Sequence, residues 1–201
     1  MLINLHTHRQ TKEGEKSIRS LYENFGEAAE PGYYSIGVHP CHISKPWLAQ
    51  FKEIKDHSRL SNVVAIGETG LDKICSTEWP LQQLSFTAHI QWAVFLQKPL
   101  IIHCVKAWDE VFAALTKEKV SVPVIFHGYA KNLQLAQQIT RQGYYLSFGK
   151  ALAQERLQQV LSAIPVNQFF LETDDADIEI ETVYDYAAAA LSIDRISLSF
   201  E

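Results

Sequence analysis

Six side chains able to ligate a metal ion each follow a short apolar run: His6, His8, Glu68, His103, His127 and Asp174. Imidazole nitrogens and carboxylate oxygens are the donors that Zn²⁺, Mn²⁺ or Mg²⁺ accept, and an ion so held activates water against a polarised centre. His6-Thr7-His8 can turn both imidazoles to one ion, because alternate residues of a strand share a face. A metal-dependent hydrolase is therefore the leading expectation.

No single motif carries that expectation. Glu68 closes the apolar run Ala65-Ile66-Gly67, where a buried carboxylate needs a counter-charge, supplied by a metal or equally by a lysine. Pro99-Leu100-Ile101-Ile102-His103 and Pro123-Val124-Ile125-Phe126-His127 repeat one pattern. One such histidine reads as a strand end; two in the same register, after a His-x-His pair and a glutamate, read as ligands. Phe169-Phe170-Leu171-Glu172-Thr173-Asp174 completes the set, with Asp174 suited to hold an ion and to accept a proton from water. Asp175 and Asp177 compete for that role, and the tract also reads as an acidic turn.

To converge, these residues must sit at the ends of parallel strands. Strand-like runs fall at Leu2 to Leu5, Tyr33 to Val38, Val63 to Gly67, Leu100 to Ile102, Val122 to Phe126, Tyr144 to Phe148 and Phe169 to Leu171. An eighth lies between Lys16 and Phe25, where Ser17 to Leu21 reads equally as strand or helical turn. Helical periodicity over Trp79 to Gln97, Trp108 to Lys119, Leu133 to Gln142 and Glu155 to Ala163 fills the intervals. Pro99, Pro123 and Pro165 punctuate the way into the next strands. The alternation specifies an α/β chain with a parallel sheet, read as a TIM-type (β/α) barrel and a single domain over 1–201.

Four lysines follow motif ends: Lys73, Lys106, Lys131 and Lys150. Strands ending on one rim would place these cations around the ligands, a positive mouth on a chain whose formal charge is −5. The alternative is four solvated loop lysines. Tyr129 and Trp108 are nearby candidates for stacking a base.

The acidic balance opposes sequence-independent binding to long duplex DNA. A content of 47% hydrophobic and 20% charged residues excludes a disordered class. Met1 to Leu5 meets His6 too soon for a signal peptide or membrane span, so a cytoplasmic monomer is expected. Cys41, Cys75 and Cys104 lack C-x-x-C spacing and are expected as reduced thiols.

In this order the residues resemble the TatD-type deoxyribonucleases, metal-dependent hydrolases with a TIM-barrel-like fold. The resemblance rests on His6-Thr7-His8, Gly37-Val38-His39-Pro40, Gly67 to Asp72, the Gln83 to Pro99 helix before Ile102-His103, Phe126-His127-Gly128 and Leu171 to Asp174. It implies two divalent ions, with His6, His8 and Asp174 on one, His103 and His127 on the other, Glu68 shared between them, and His39 in the substrate pocket or behind the ligands. It also implies hydrolysis of phosphodiester bonds in DNA, often from the 3′ end; the ring of Lys73, Lys106, Lys131 and Lys150, read from the chain itself, would face that substrate. Against the family the stretch from His8 to Gly37 is short, so one βα unit is expected to be abbreviated. Asn4 stands where the family usually has aspartate, Lys106 replaces an earlier arginine, and the proline after the final aspartate is absent. A hydrolase of a small ester, amide or phosphoester, or a degenerate non-catalytic member, are the competing readings.

Overall fold

Eight parallel strands and six α-helices, alternating from β3 onward, make up a computed structural model that describes residues 1–12, 15–43 and 46–198. The strands are β1 (Ile3–Thr7), β2 (Lys16–Leu21), β3 (Tyr33–Ile36), β4 (Val63–Asp72), β5 (Leu100–Val105), β6 (Val124–Phe126), β7 (Tyr145–Phe148) and β8 (Phe169–Leu171). The helices are α1 (Trp47–His57), α2 (Trp79–Leu96), α3 (Trp108–Lys117), α4 (Leu133–Arg141), α5 (Glu155–Ser162) and α6 (Ile180–Leu191). The ambiguous Ser17 to Leu21 segment is strand β2. Among the described residues no helix is long and apolar enough to cross a membrane.

The chain forms two compact units, residues 1–19 with 125–201 and residues 20–124. In the first, β1 pairs with the start of β2, matching Ile3 to Lys16 and Thr7 to Arg19, while β6, β7 and β8 pair in succession. An isolated parallel bridge from Thr7 to Asp174 ties β1 to the segment after β8. The core gathers Phe148 from β7, Leu157 and Leu161 from α5, and Val183 and Tyr184 from α6, all buried. Tyr184 hydroxyl accepts from the Ile3 amide at 3.1 Å and donates to the Ile3 carbonyl at 3.0 Å, fixing where β1 begins. Asn132 caps α4 by accepting from the Leu135 amide at 2.9 Å, satisfying one of the open donors at a helix start.

In the second unit β4 lies between β3 and β5. Ile36, Phe51, Ile54 and Val63 form its core together with Phe25 and Val38. Strand β4 continues for ten residues, past Gly67, where the strand-like run was expected to end, and on through Gly70. Both glycines permit close strand approach. A β-carbon on Gly67 would run into the Ile101 carbonyl oxygen, and one on Gly70 into that of His103.

A disulfide joins Cys41 and Cys75, 34 residues apart with Cα atoms separated by 5.2 Å. This corrects the expectation of three reduced thiols. The pairing depends on a fold contact between the segments after β3 and β4, and local cysteine spacing carries no trace of it. Cys104, on β5, lies outside this disulfide and is half-buried.

Candidate metal centres

In the first unit the β1 ladder extends past its last residue and captures Asp174 between two histidines. The Asp174 amide donates to the His6 carbonyl at 2.9 Å, and the His8 amide donates to the Asp174 carbonyl at 3.3 Å. Asp174 adopts a left-handed backbone, φ 53°. Its Oδ1 lies 3.7 Å from His6 Nε2 and 3.6 Å from His8 Nε2. Those separations exceed hydrogen-bond length. They fit donors of one tetrahedral Zn²⁺, whose bond lengths place neighbouring N and O ligands about 3.4 Å apart. His127 joins the group: its ring centroid is 4.4 Å from that of His6, and ligand atoms of His6, His127 and Asp174 lie within 4.8 Å of one another.

Two further residues hold this group in place. Asn4, buried, accepts from the Thr173 amide at 3.0 Å and donates to Thr173 Oγ1 and Glu15 Oε1, each at 2.8 Å. The neutral amide thus fixes the Glu172–Asp174 tract through a donor and an acceptor together, which a carboxylate could not do. Glu172, fully buried, accepts from the Gly128 amide at 2.7 Å and from the Ser147 hydroxyl, and its Oε1 lies 3.6 Å from His127 Nδ1. Burial alone would raise its pKa. The nearby imidazoles of His127 and His6 and the Ser147 hydroxyl outweigh that and hold the carboxyl below its ordinary range.

In the second unit Glu68 is buried on β4 and its Oε1 serves two imidazoles. His103 Nδ1 is 2.9 Å away and His39 Nε2 is 3.5 Å away. His103 Nε2 faces Asp72 Oδ2 at 3.0 Å. When Asp72 accepts the Nε2–H proton, the neutral ring turns a lone pair toward Glu68, and two acceptors at that distance need a proton or a cation between them. Histidine held by a carboxylate on its far nitrogen is the common arrangement of a metal ligand. His39 Nδ1 accepts from the Cys41 amide at 3.1 Å, leaving Nε2 toward Glu68. The ligand atoms of His39, Glu68 and His103 lie within 4.8 Å of one another.

The sequence had not marked Asp72, Glu172 or His89 for these parts. Asp72 stands four residues after Glu68, which places both on one strand face only if β4 runs on through Gly70. His89 on α2 is buried, facing the Ser85 carbonyl with Nδ1 at 2.7 Å and accepting from the Val38 amide at 3.2 Å. It anchors the residue before His39. Burial pushes its pKa down to about 4 against the raising effect of the Ser85 carbonyl.

The four lysines are differently placed. Lys73 is ion-paired with Glu110 of α3, and its ammonium lies 5.6 Å from the Trp79 ring centroid. Lys150 is 3.9 Å from Asp175. Lys106 and Lys131 are exposed, Lys106 with a left-handed φ of 55° directly after β5. Tyr129 is buried against Phe148 and donates to the Asn132 carbonyl at 2.6 Å, so it packs in the first unit instead of offering a face to a base. Trp108 is half-buried, with its ring centroid 6.4 Å from that of Phe112.

The family model described as TatD related DNase matches residues 4–183. Among curated relatives, the uncharacterized metal-dependent hydrolase YcfH of Escherichia coli is 33% identical over 149 residues, covering 70% of this chain and 54% of its own length. The 3′-5′ ssDNA/RNA exonuclease TatD of Yersinia pseudotuberculosis is 33% identical over 169 residues, covering 80% and 65%. The chain thus spans little more than half the length of the first of these relatives. The solved structure of YjjV, a TatD homolog from Escherichia coli, superposes with a TM-score of 0.83 at 20% identity, covering 98% of this chain and 93% of that one. A TatD family hydrolase from Entamoeba histolytica gives 0.79 at 15% identity, with the same coverage. The fold, eight parallel strands ordered as in the chain with helices between, is the TIM-type (β/α) barrel.

Proposed function

The chain belongs to the TatD family, and from that premise we propose that it hydrolyses phosphodiester bonds in DNA, working from a strand end, with divalent metal. The observation that carries the proposal is the Asp174 carboxylate held 3.6 to 3.7 Å from two imidazoles by the paired backbones of β1 and the segment after β8. His6, His8, His127 and Asp174 are the ligands proposed in the first unit. Glu68 and His103, with His39 beside them, are those of the second. The donor sets, imidazole and carboxylate in each case, fit Zn²⁺ or Mn²⁺, and Mg²⁺ less closely because it favours oxygen.

A bound divalent ion polarises a phosphoryl oxygen and makes water acidic enough to attack at neutral pH. Asp174 takes the proton of the attacking water on its carboxylate and is kept in line by the Thr7 bridge. Asp72 holds the His103 ring so that Nδ1 faces Glu68. Glu172 sets the position of His127 from a site closed to water. Beside Asp174 a cavity of about 150 Å³, bordered by Gly128, Gly149 and Lys150, has room for one phosphate-sized group. Exposed Lys131 and Lys106 supply positive charge for an anionic strand.

The pairing of Lys73 with Glu110 and the approach of Lys150 to Asp175 favour a second reading, a hydrolase of small, weakly charged esters. A substrate panel separates the two. Metal-reconstituted protein is offered 5′- and 3′-labelled single strands beside small carboxylate and phosphate esters. Shortening of the strands from the 3′ end supports the nuclease, and turnover of esters alone replaces it with the second reading.

A further inference from the structure

The Cys41–Cys75 disulfide connects the two segments that carry the second unit's candidate ligands. Cys41 lies two residues beyond His39, and its amide donates to His39 Nδ1 at 3.1 Å. Cys75 lies three residues beyond Asp72, in a turn fixed by the Ile74 amide donating to Asp72 Oδ1 at 2.8 Å. Gln82 clamps the backbone of Asp72 from α2, accepting from its amide at 2.9 Å and donating to its carbonyl at 3.0 Å. The β4 side of the cross-link is therefore rigid. The segment bearing His39 is held to it by the sulfur bridge.

The same sulfur approaches the acid that orients His103. Cys41 Sγ is 3.9 Å from Oδ2 of Asp72, the oxygen that also faces His103 Nε2 at 3.0 Å. As a half-cystine, Cys41 has no proton to give. As a thiol it gains a donor aimed at the oxygen on which His103 depends, and as a thiolate it sets a second negative charge beside that oxygen. Cys41 is exposed and Cys75 half-buried, so a small reagent reaches the bond from the Cys41 side.

We infer that Cys41 and Cys75 form a reversible thiol–disulfide site whose oxidation state sets the divalent-ion affinity of the Glu68, His39 and His103 group; this rests on the proposed metal-binding role of that group. The reactant is a low-molecular-weight thiol. Its thiolate attacks Cys41 Sγ, the bond to Cys75 breaks, and Cys75 leaves as a thiolate that takes up a proton. A second thiolate attacks the mixed disulfide and releases Cys41, which is protonated in turn. The two protein sulfurs gain two electrons and the reagent leaves as its disulfide. Reduction frees the His39 segment and diverts Asp72 from His103, so affinity falls. Loss of a partner behind a metal ligand costs about 10- to 100-fold in affinity, and the lower end is expected because Asp72 itself remains.

The test uses the full chain in both states. Thiol titration of the denatured protein should count one sulfhydryl before reduction and three after it. Calorimetric titration with Mn²⁺, with reductant removed under anaerobic conditions, should show one binding event weakened about tenfold in the reduced protein while the His6, His8 and Asp174 event is unchanged. A Cys41→Ser, Cys75→Ser double variant should bind like the reduced form and ignore reductant, keeping the result independent of any cysteine-borne fold defect. Equal Mn²⁺ affinity in both states, or three thiols that stay unpaired in the presence of a small disulfide, would overturn the inference and leave the proposed function standing. Absence of Mn²⁺ binding in either state would overturn both.

Discussion

Asp72 Oδ2 lies 3.0 Å from His103 Nε2, on the ring edge opposite the nitrogen that faces Glu68. This relation makes Asp72 the orienting partner of a proposed ligand. Asp72→Asn should lower Mn²⁺ affinity in the second unit by about tenfold or more with little change in circular dichroism. Titration of the variant by calorimetry checks it. Unchanged affinity would remove Asp72 from the account.

Asp174→Asn removes the proposed proton acceptor and weakens one ligand without altering side-chain size. Hydrolysis should fall by about 10² or more, in the range general-base groups contribute. The comparison is made at metal concentrations that restore full loading, confirmed by atomic emission. Full activity at full loading would transfer the proton to another group.

His89 predicts an acid-sensitive second unit. Its folded pKa is about 4, below the ordinary 6.5, so the unfolded chain binds the proton more readily over that window. The stability contributed is complete above about pH 6.5 and is lost as pH falls toward about 4. The full loss is on the order of 3 kcal/mol. Urea unfolding between pH 7 and pH 4 measures the slope, and His89→Gln should flatten it. A slope unaffected by the substitution would assign the acid sensitivity elsewhere.

Gly70 should tolerate no side chain. Its φ is 154°, and an added β-carbon meets the His103 carbonyl oxygen, which is backbone and cannot swing aside. Gly70→Ala should cost about 3 kcal/mol in urea unfolding and displace β5, which carries His103. A neutral substitution would show that β5 accommodates the atom.

Part of the candidate site was legible because histidines and carboxylates beside apolar runs leave a one-dimensional trace. Pro99 to His103 and Pro123 to His127 announce apolar strands; β6 ends at Phe126, directly before His127, while β5 runs two residues past His103 to Val105. The role of Asp72 was hidden because the strand-like run reads as ending at Gly67, whereas β4 continues through Gly70 to Asp72. His89 was hidden because a histidine on an apolar helix looks like any core residue until Val38 and Ser85 are seen against it. The pairing of Lys73 was hidden for a related reason: position along the chain gives a loop, but only the fold brings Glu110 to the ammonium. The Cys41–Cys75 bond spans 34 residues and has no local signature.

The central claim is that imidazole and carboxylate groups of this chain hold divalent ions that drive hydrolysis of a DNA strand. Its most direct measurement strips the protein with chelator, confirms the loss by atomic emission, and returns Mn²⁺ stepwise while following a 3′-labelled single strand. The stripped protein should not cleave, and cleavage should rise with ion bound, reaching its plateau as the sites fill. Cleavage that persists after stripping, or a fully loaded protein that leaves the strand intact, would contradict it.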